Sequence, residues 1–372
     1  MSSVTTPQKT NLAPYLTKLI VHPPQLTPAD LATVLGHILS NSVSTTQVAA
    51  FLALLRGSGL DHSPDFIAAA VARMMQAARK LDTLEQDLKD HGFVDIVGTG
   101  GDGQNTFNVS TTASIVAAGA GLRVCKHGGK ASTSASGAGD LLASLGINLA
   151  NVTNETAPGI LAQSQYCFLF APVFHPAMAT IAPVRKELGV PSIFNILGPL
   201  INPAPLCARI VGVYAESLGE VFARAIRATN QQAGRPESRA MVVWGTEGLD
   251  EISPAGTTKV WTVNSDPTVS EEDAIVTSYL HPNDFGLPVH TLDTVRSGTP
   301  QENAAVVDLL VDNKLEENHP VLDYVLMNVA ALAYVEGTAQ DLKHGVELAR
   351  ESIKSGRARE ALDKFASLSQ GL

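Results

Sequence analysis

Up to about residue 90, apolar positions recur three and four apart, the spacing of an amphipathic helix. Thr27-Pro28-Ala29-Asp30 marks a helix start. Thr27 caps, Pro28 suits the first helical position, and Asp30 favours the positive end of the dipole. Leu31, Val34, Leu35, Ile38 and Leu39 then form one apolar face. A second helix follows Ser44, turns Val48, Phe51, Leu52 and Leu55 inward, and stops near Gly57-Ser58-Gly59. A third begins at Ser63-Pro64 and runs through Ile67, Val71 and Met74. Helices with no strand between them predict a small all-helical domain over residues 1–92.

At Phe93 the period changes. Short strand-like runs alternate with helical ones: FVDIV, a glycine-rich turn and a helix through Ile115; then LRVCK, a small-residue turn and a helix at 140–145. Further on come ARIVGVY, a helix near 217–229, and AMVVW. This alternation predicts an α/β domain over 93–372 with a mostly parallel central sheet. Residues 262–300, rich in Ser, Thr, Pro and Asp, read as surface strands and loops, and 321–335 and 340–353 as helices.

Composition narrows the class. The chain has 372 residues, 45% hydrophobic and 17% charged, which excludes a disordered or fibrous protein. With aromatics at only 5%, the core is mostly Ala, Leu, Val and Ile. A net charge of −10 opposes a polyanion, so no nucleic-acid partner is expected. Cys125, Cys167 and Cys207 lack metal-ligand spacing and read as reduced thiols. No apolar run approaches the ~18–20 residues that span a bilayer. The first twenty or so residues, about the length of a signal peptide, lack the composition of a signal or transit peptide. The expectation is a cytoplasmic protein without a membrane partner.

The densest chemistry lies in Asp95-Ile96-Val97-Gly98-Thr99-Gly100-Gly101-Asp102-Gly103-Gln104-Asn105-Thr106-Phe107-Asn108-Val109-Ser110-Thr111-Thr112. A strand feeds a glycine turn, and Asn108 and Ser110 open a helix. Glycines bring backbone amides close to a ligand, and a helix start adds N–H donors and a positive dipole end, which together suit phosphate. Gly98, Gly100 and Gly103 also match the dinucleotide fingerprint, which on its own is a weak signal. That fingerprint wants an acid at the end of the next strand. Here the strand ends in Lys126-His127, which could instead meet the extra phosphate of NADP.

A second turn, Lys126-His127-Gly128-Gly129-Lys130-Ala131-Ser132-Thr133-Ser134-Ala135-Ser136-Gly137-Ala138-Gly139-Asp140, also leaves a strand and enters a helix. Two such turns after neighbouring parallel strands face one crevice, where one can take a terminal phosphate and the other a diphosphate. A third segment holds His175-Pro176, Arg185-Lys186 and Phe194-Asn195-Ile196-Leu197-Gly198-Pro199-Leu200-Ile201-Asn202-Pro203, whose prolines suggest crossings between domains. A fourth, Gly248-Leu249-Asp250-Glu251-Ile252-Ser253, follows the strand AMVVW and offers adjacent carboxylates for Mg²⁺, an ion that takes one or two carboxylates plus substrate phosphate oxygens.

In order and spacing, GTGGDGQNTFNVST, KHGGKASTSASGAGD, FLFAPVFHPAM with PVRKELG and FNILGPLINP, and GLDEIS resemble the anthranilate phosphoribosyltransferases over roughly 27–370. The resemblance implies a helical domain joined to a larger α/β domain, with about 185–205 returning to the helical domain and the cleft at the hinge. It further implies a homodimer formed through the helical domains. It implies Mg²⁺-dependent use of phosphoribosyl diphosphate (PRPP), with anthranilate as acceptor in the tryptophan pathway. Carried over by position, Gly98, Thr99, Gly100, Gly101, Asp102 and Thr106 border the diphosphate and ribose. Asn108, Val109, Ser110, Thr111 and Lys126 hold phosphoryl groups. The stretch His127, Gly128, Gly129, Lys130, Ala131, Ser132, Thr133 and Ser134 closes over the donor. Ser110, Asp250 and Glu251 hold Mg²⁺. Arg185 pairs with the anthranilate carboxylate, beside Gly98, His127, Gly129, His175, Gly198 and Pro199. Lys126, Arg185 and Asp102 are the implied catalytic set.

Many bacterial members carry Asn where this chain has Gly129, and Ser where it has Ala138. The KHGGKAST form resembles fungal members. It is also close to the turn of pyrimidine-nucleoside phosphorylases, which share the fold and supply the rival reading. FNILGPLINP and GLDEIS favour the transferase. The implied reaction is attack of a neutral aromatic amine with inversion and loss of diphosphate, with no side chain acting as a covalent nucleophile and domain closure keeping water from the donor.

Overall fold

A computed structural model describes residues 9–130 and 136–371. The chain divides into two units: one up to Ala78 together with His175–Ile201, the other Arg79–Phe174 together with Asn202 onward.

The helical unit forms as its local signals dictate. Thr27 and Asp30 make a reciprocal capping box at the start of Pro28–Leu39, and the Ser44 hydroxyl accepts from the Gln47 amide ahead of Thr45–Ser58. Gly59 closes that helix in the left-handed conformation, at φ 74°. Helix Pro64–Ala77 packs on Pro28–Leu39, and Ala13–Ile20, which periodicity does not single out, packs on Thr45–Ser58. Two boundaries differ from expectation. Residues 79–92 belong to the second unit, because Leu81, Leu84 and Leu88 bury in the same core as Phe93. The return begins at His175 rather than about 185 and ends at Ile201. Pro176–Thr180 packs on Pro28–Leu39 and Ala182–Leu188 on Thr45–Ser58, so those contacts carry the earlier residues along.

In the α/β unit the strands are β1 Phe93–Gly98, β2 Val124–Gly128, β3 Tyr166–Phe170, β4 Leu206–Gly212, β5 Arg239–Gly245, β6 Thr258–Val263 and β7 Ile275–Leu280. Their order is β3-β2-β1-β4-β5-β6-β7. β3 through β5 run parallel, while β6 and β7 add antiparallel strands at one edge. β3 is a continuous apolar run, YCFLF; buried strands of parallel sheets read this way, without alternation.

Helix Val109–Gly119 is buried from Thr111 to its end. It contacts β1 and β2 as well as Pro320–Glu336, Leu342–Lys354 and Arg357–Ser369. Gly119 permits the last two of these contacts, since a Cβ there would overlap Ser352 on the one helix and Ala358 on the other. Full burial of one Phe or Leu contributes about 1.5–3 kcal/mol. The contacts therefore fix the helix that launches from the glycine turn. Cys125 and Cys167 are buried free thiols on register-paired positions of β2 and β3, and burial pushes the Cys125 thiol well up, leaving it inert. Among the described residues, no helix is long and apolar enough to cross a membrane.

Candidate active site

After β1 the chain moves to β2 on one side, then returns to β4 on the other, so the carboxyl ends of β1 and β4 form the switch point where ligands of open α/β sheets bind. Gly98 and Gly212, the last residues of the two strands, are register partners there. A Cβ on Gly98 would collide with the Asp250 carboxylate, and one on Gly212 with the Asp250 backbone carbonyl. Two glycines thus let the acidic turn settle directly on the strand ends.

The glycine turn takes its shape from φ values of 70°, 83° and 72° at Gly100, Gly101 and Gly103. Bonds from distant parts of the chain then lock it. The Gly100 amide donates to Asp250 Oδ2 at 2.6 Å and Gln104 Nε2 to the Glu247 carbonyl at 2.7 Å. The Thr99 amide donates to the Gly212 carbonyl at 3.0 Å, and the Thr99 hydroxyl accepts from the Tyr214 amide at 3.2 Å. On the far side, the Phe107 amide donates to the Val295 carbonyl at 2.7 Å and the Ser297 amide to the Asn105 carbonyl at 2.8 Å. The Asn108 side chain spans both turns, donating to the Ser136 carbonyl at 2.7 Å and accepting from Asn303 Nδ2 at 2.9 Å. Its amide group is thereby engaged in bracing. Val109 and Thr111 are buried in the first helical turn, leaving their backbone as the part that can meet a ligand.

Carboxylates gather over this floor. Asp250 and Glu251 are both buried. Burial, then the charge of Asp102, raises Asp250 to about 7 against the pull of the Gly100 amide, and Asp250 shares a hydrogen bond with Asp102. Burial, then the charge of Asp250, pushes Glu251 well above the usual carboxylate range, while Lys126 and the Ser110 hydroxyl, which donates to it, pull the other way. Lys126 is itself buried on β2 and its ammonium donates to the Ile96 carbonyl. Burial lowers its pKa, while Asp95 and Glu251 favour the charged form.

Three mutually repelling carboxylates with a hydroxyl beside them are hard oxygen donors, and the donor set fits Mg²⁺. Among the described residues, no three His, Cys, Asp or Glu side chains enclose an ion by themselves.

Two residues outside the predicted set hold Lys126 and β2. Asp95 on β1 is fully buried, with its pKa raised by burial, and its Oδ2 accepts from Asn202 Nδ2 at 2.8 Å and from the His127 amide at 3.4 Å. Asn202 Nδ2 also reaches the Cys125 carbonyl at 2.8 Å. Both residues stood in the quoted motifs, and a carboxylate in the middle of a buried strand was the signal for them. After β2, the Gly129 carbonyl accepts from the Gly139 amide at 2.9 Å and Lys130 is exposed. The positions Ala131, Ser132, Thr133 and Ser134 lie outside the described residues.

The acceptor residues predicted from the third segment all belong to the helical unit. Arg185, on Ala182–Leu188, is half-buried with its guanidinium 5.9 Å from the Phe194 ring centroid. Burial lowers its pKa, and no described carboxylate forms an ion pair with it. His175 is buried, and its Nε2 lies 2.8 Å from the Ile201 carbonyl. Gly198 and Pro199 open the short turn Gly198–Leu200, where Gly198 is exposed with open space beside it. Gly98, His127 and Gly129, the other three predicted acceptor contacts, belong to the α/β unit.

A phosphate-suited glycine turn, a metal-suited acidic turn and a seven-stranded sheet define a class, and the comparisons agree with it. Residues 13–78 match the model for a glycosyl transferase family, helical bundle domain, and 90–359 the model for a glycosyl transferase family, a/b domain. The anthranilate phosphoribosyltransferase of Schizosaccharomyces pombe is 49% identical over 333 residues, 90% of each chain. That of Saccharomyces cerevisiae is 42% identical, over 95% of this chain and 97% of its own. A solved structure of the Saccharomyces cerevisiae enzyme in complex with PRPP and Mg superposes with a TM-score of 0.87 at 40% identity, over 97% of this chain and 98% of that one. The chain belongs to this glycosyl transferase family, among its anthranilate phosphoribosyltransferases.

Proposed function

We propose that this enzyme transfers phosphoribose from PRPP to the amine of anthranilate, giving N-(5-phosphoribosyl)anthranilate and diphosphate, with Mg²⁺ as its cation. The observation that carries the reading is the acidic turn seated on Gly98 and Gly212, with Asp250 bonded to the Gly100 amide. It puts buried carboxylates and phosphate-directed amides at one switch point. Asp250, Glu251 and Ser110 hold Mg²⁺, which, when bound, offsets charge building on the diphosphate.

The chain's own residues do the rest. The amides of 99–103 and of the helix start at 109–111 receive phosphoryl oxygens. Asp102, linked to Asp250, borders the ribose and diphosphate. Lys126 adds fixed positive charge where negative charge develops, a preorganised contribution that costs no rearrangement during reaction. Arg185, with no ion-paired carboxylate among the described residues, supplies the planar fork for the acceptor carboxylate. The anthranilate amine is neutral at pH 7 and attacks without a covalent enzyme intermediate. The enzyme works in the cytoplasm as a homodimer through its helical unit, where Ile20 and Val21 stand exposed.

Anthranilate fluorescence tests the reaction directly. Its loss is expected only when protein, PRPP and Mg²⁺ are all present, with diphosphate appearing in step. Folded protein that leaves anthranilate unchanged but cleaves thymidine or uridine with phosphate would overturn the reading in favour of a nucleoside phosphorylase.

A further inference from the structure

The sheet is not closed evenly at the switch point. β1 pairs with β4 from Phe93 to Gly98, and β2 with β3 from Val124 to Gly128. Between β1 and β2, among the described residues, the backbone register holds at Val94 and Val124 alone. There the Val94 amide donates to the Arg123 carbonyl at 2.8 Å. Parallel ladders bond at even spacing. The next rung would therefore join the Ile96 amide to the Cys125 carbonyl, and the His127 amide to the Ile96 carbonyl.

Side chains take that rung instead. The Cys125 carbonyl accepts from Asn202 Nδ2 at 2.8 Å. The His127 amide donates to Asp95 Oδ2 at 3.4 Å, and the same oxygen accepts from Asn202 Nδ2 at 2.8 Å. The Ile96 carbonyl accepts from the Lys126 ammonium. Asn202 thus spends both N–H donors on the bridge, and its Oδ1 is held by the Ala204 amide at 2.9 Å. Asp95, Lys126 and Asn202 are all buried, where backbone groups left without partners are costly. Because the bridge occupies the two groups of β2, the Ile96 carbonyl is left for Lys126. A closed ladder would give that carbonyl to His127 and turn the ammonium out of the gap.

We propose that Asn202 and Asp95 are positioning residues of the donor site: together they hold β1 and β2 apart beyond Val94 and Val124, and the gap fixes the Lys126 ammonium where it meets the phosphoryl groups of PRPP. The inference rests on the proposed transferase reading and adds to it a reason for the open rung. Neither residue touches a reacting atom; both act through Lys126.

Asn202→Ala removes the bridge and leaves Lys126 in the chain. PRPP affinity is measured by calorimetry at fixed Mg²⁺ for wild type, Asn202→Ala, Lys126→Met and the double variant, with circular dichroism to check the fold. Asn202→Ala should weaken PRPP binding roughly tenfold, the loss of one hydrogen bond to a charged group. Its anthranilate KM at saturating PRPP should match wild type. In the Lys126→Met background the same substitution should cost less than about twofold, because residues acting through one group are not additive. Equal costs in the two backgrounds would make Asn202 a packing residue and overturn the inference, as would an unchanged PRPP constant. Asn202→Ser repeats the cycle if the alanine variant does not fold. Asp95→Asn keeps an oxygen for Asn202 and His127 and should lose less affinity than Asn202→Ala; a loss as large would assign the effect to the Asp95 charge and overturn the bridge. If the wild-type protein binds no PRPP, the transferase reading falls and this inference with it; if wild type binds and Asn202→Ala matches it, this inference alone fails.

Discussion

The proposed donor turns and the proposed acceptor segment are built by opposite means. Around Gly98–Ser110 the working groups are backbone amides and buried acids, and bonds from Glu247, Asp250, Val295, Ser297 and Asn303 lock them in place. In His175–Ile201 the elements are short, and Arg185, which forms no ion pair among the described residues, lies 5.9 Å from the centroid of the Phe194 ring. The first design spreads its function over a scaffold whose parts cannot be removed singly without disturbing the rest. The second concentrates its function in a side chain that can be exchanged while the scaffold stays. Damage to the donor side should therefore reach turnover, and damage to the acceptor side should reach affinity for one substrate.

The sharpest way to break the comparison is to neutralise the acidic turn. Asp250→Asn with Glu251→Gln keeps the shape, since an Asn carbonyl can still accept from the Gly100 amide and its NH₂ can donate to Asp102. Loss of the carboxylates proposed to hold the cation should lower kcat/KM by about a hundredfold or more. The same variant should be the more stable protein above pH 7 without metal. Asp250 titrates at about 7 in the fold against an ordinary 3.8. Its contribution to stability is complete at low pH and is lost as pH rises through 7, because the native state holds the proton more tightly than the unfolded chain does. The amides have no such loss. Steady-state rates against Mg²⁺ and calorimetric melting at pH 5 and pH 8 check both halves. A normal Mg²⁺ titration would remove the acidic turn from the metal site.

Arg185→Ala gives the contrasting result. The anthranilate KM should rise about tenfold or more while kcat and the PRPP KM hold, the pattern of a lost contact made equally in ground and transition states. A fall in kcat with KM unchanged would put Arg185 on the donor's side of the comparison.

The two regions also differed in how far they could be read in advance. The glycine turn announced itself, because residues at positive φ before a helix start have few alternatives to glycine. The parallel sheet followed from alternating periods. What escaped was long-range by nature. β3 has no alternation because both its faces are buried. Residues 79–92 look like more of the first helices, and only the burial of Leu81, Leu84 and Leu88 against Phe93 assigns them to the sheet. Gly212 sits in a strand far from Asp250 in sequence, and its need to be small exists only once that turn lies upon it.

The smallest effect should come from His175, and it sharpens the comparison because it separates packing from substrate contact within the acceptor segment. Burial lowers the His175 pKa below its ordinary 6.5, and its Nε2 hydrogen bond to the Ile201 carbonyl requires that nitrogen to carry the proton of the neutral ring. As pH falls from about 6.5 the unfolded chain takes up a proton that the native side chain resists, so stability declines on the acid side. His175→Gln can still present an N–H to Ile201 and does not titrate. Melting temperatures of the two proteins between pH 7.5 and 5 should converge as pH falls, with wild type losing more. Parallel curves would mean that His175 carries no titration penalty. If Gln also raises the anthranilate KM, the residue serves the acceptor as well as the fold; if KM is unchanged, the acceptor's recognition narrows further toward Arg185.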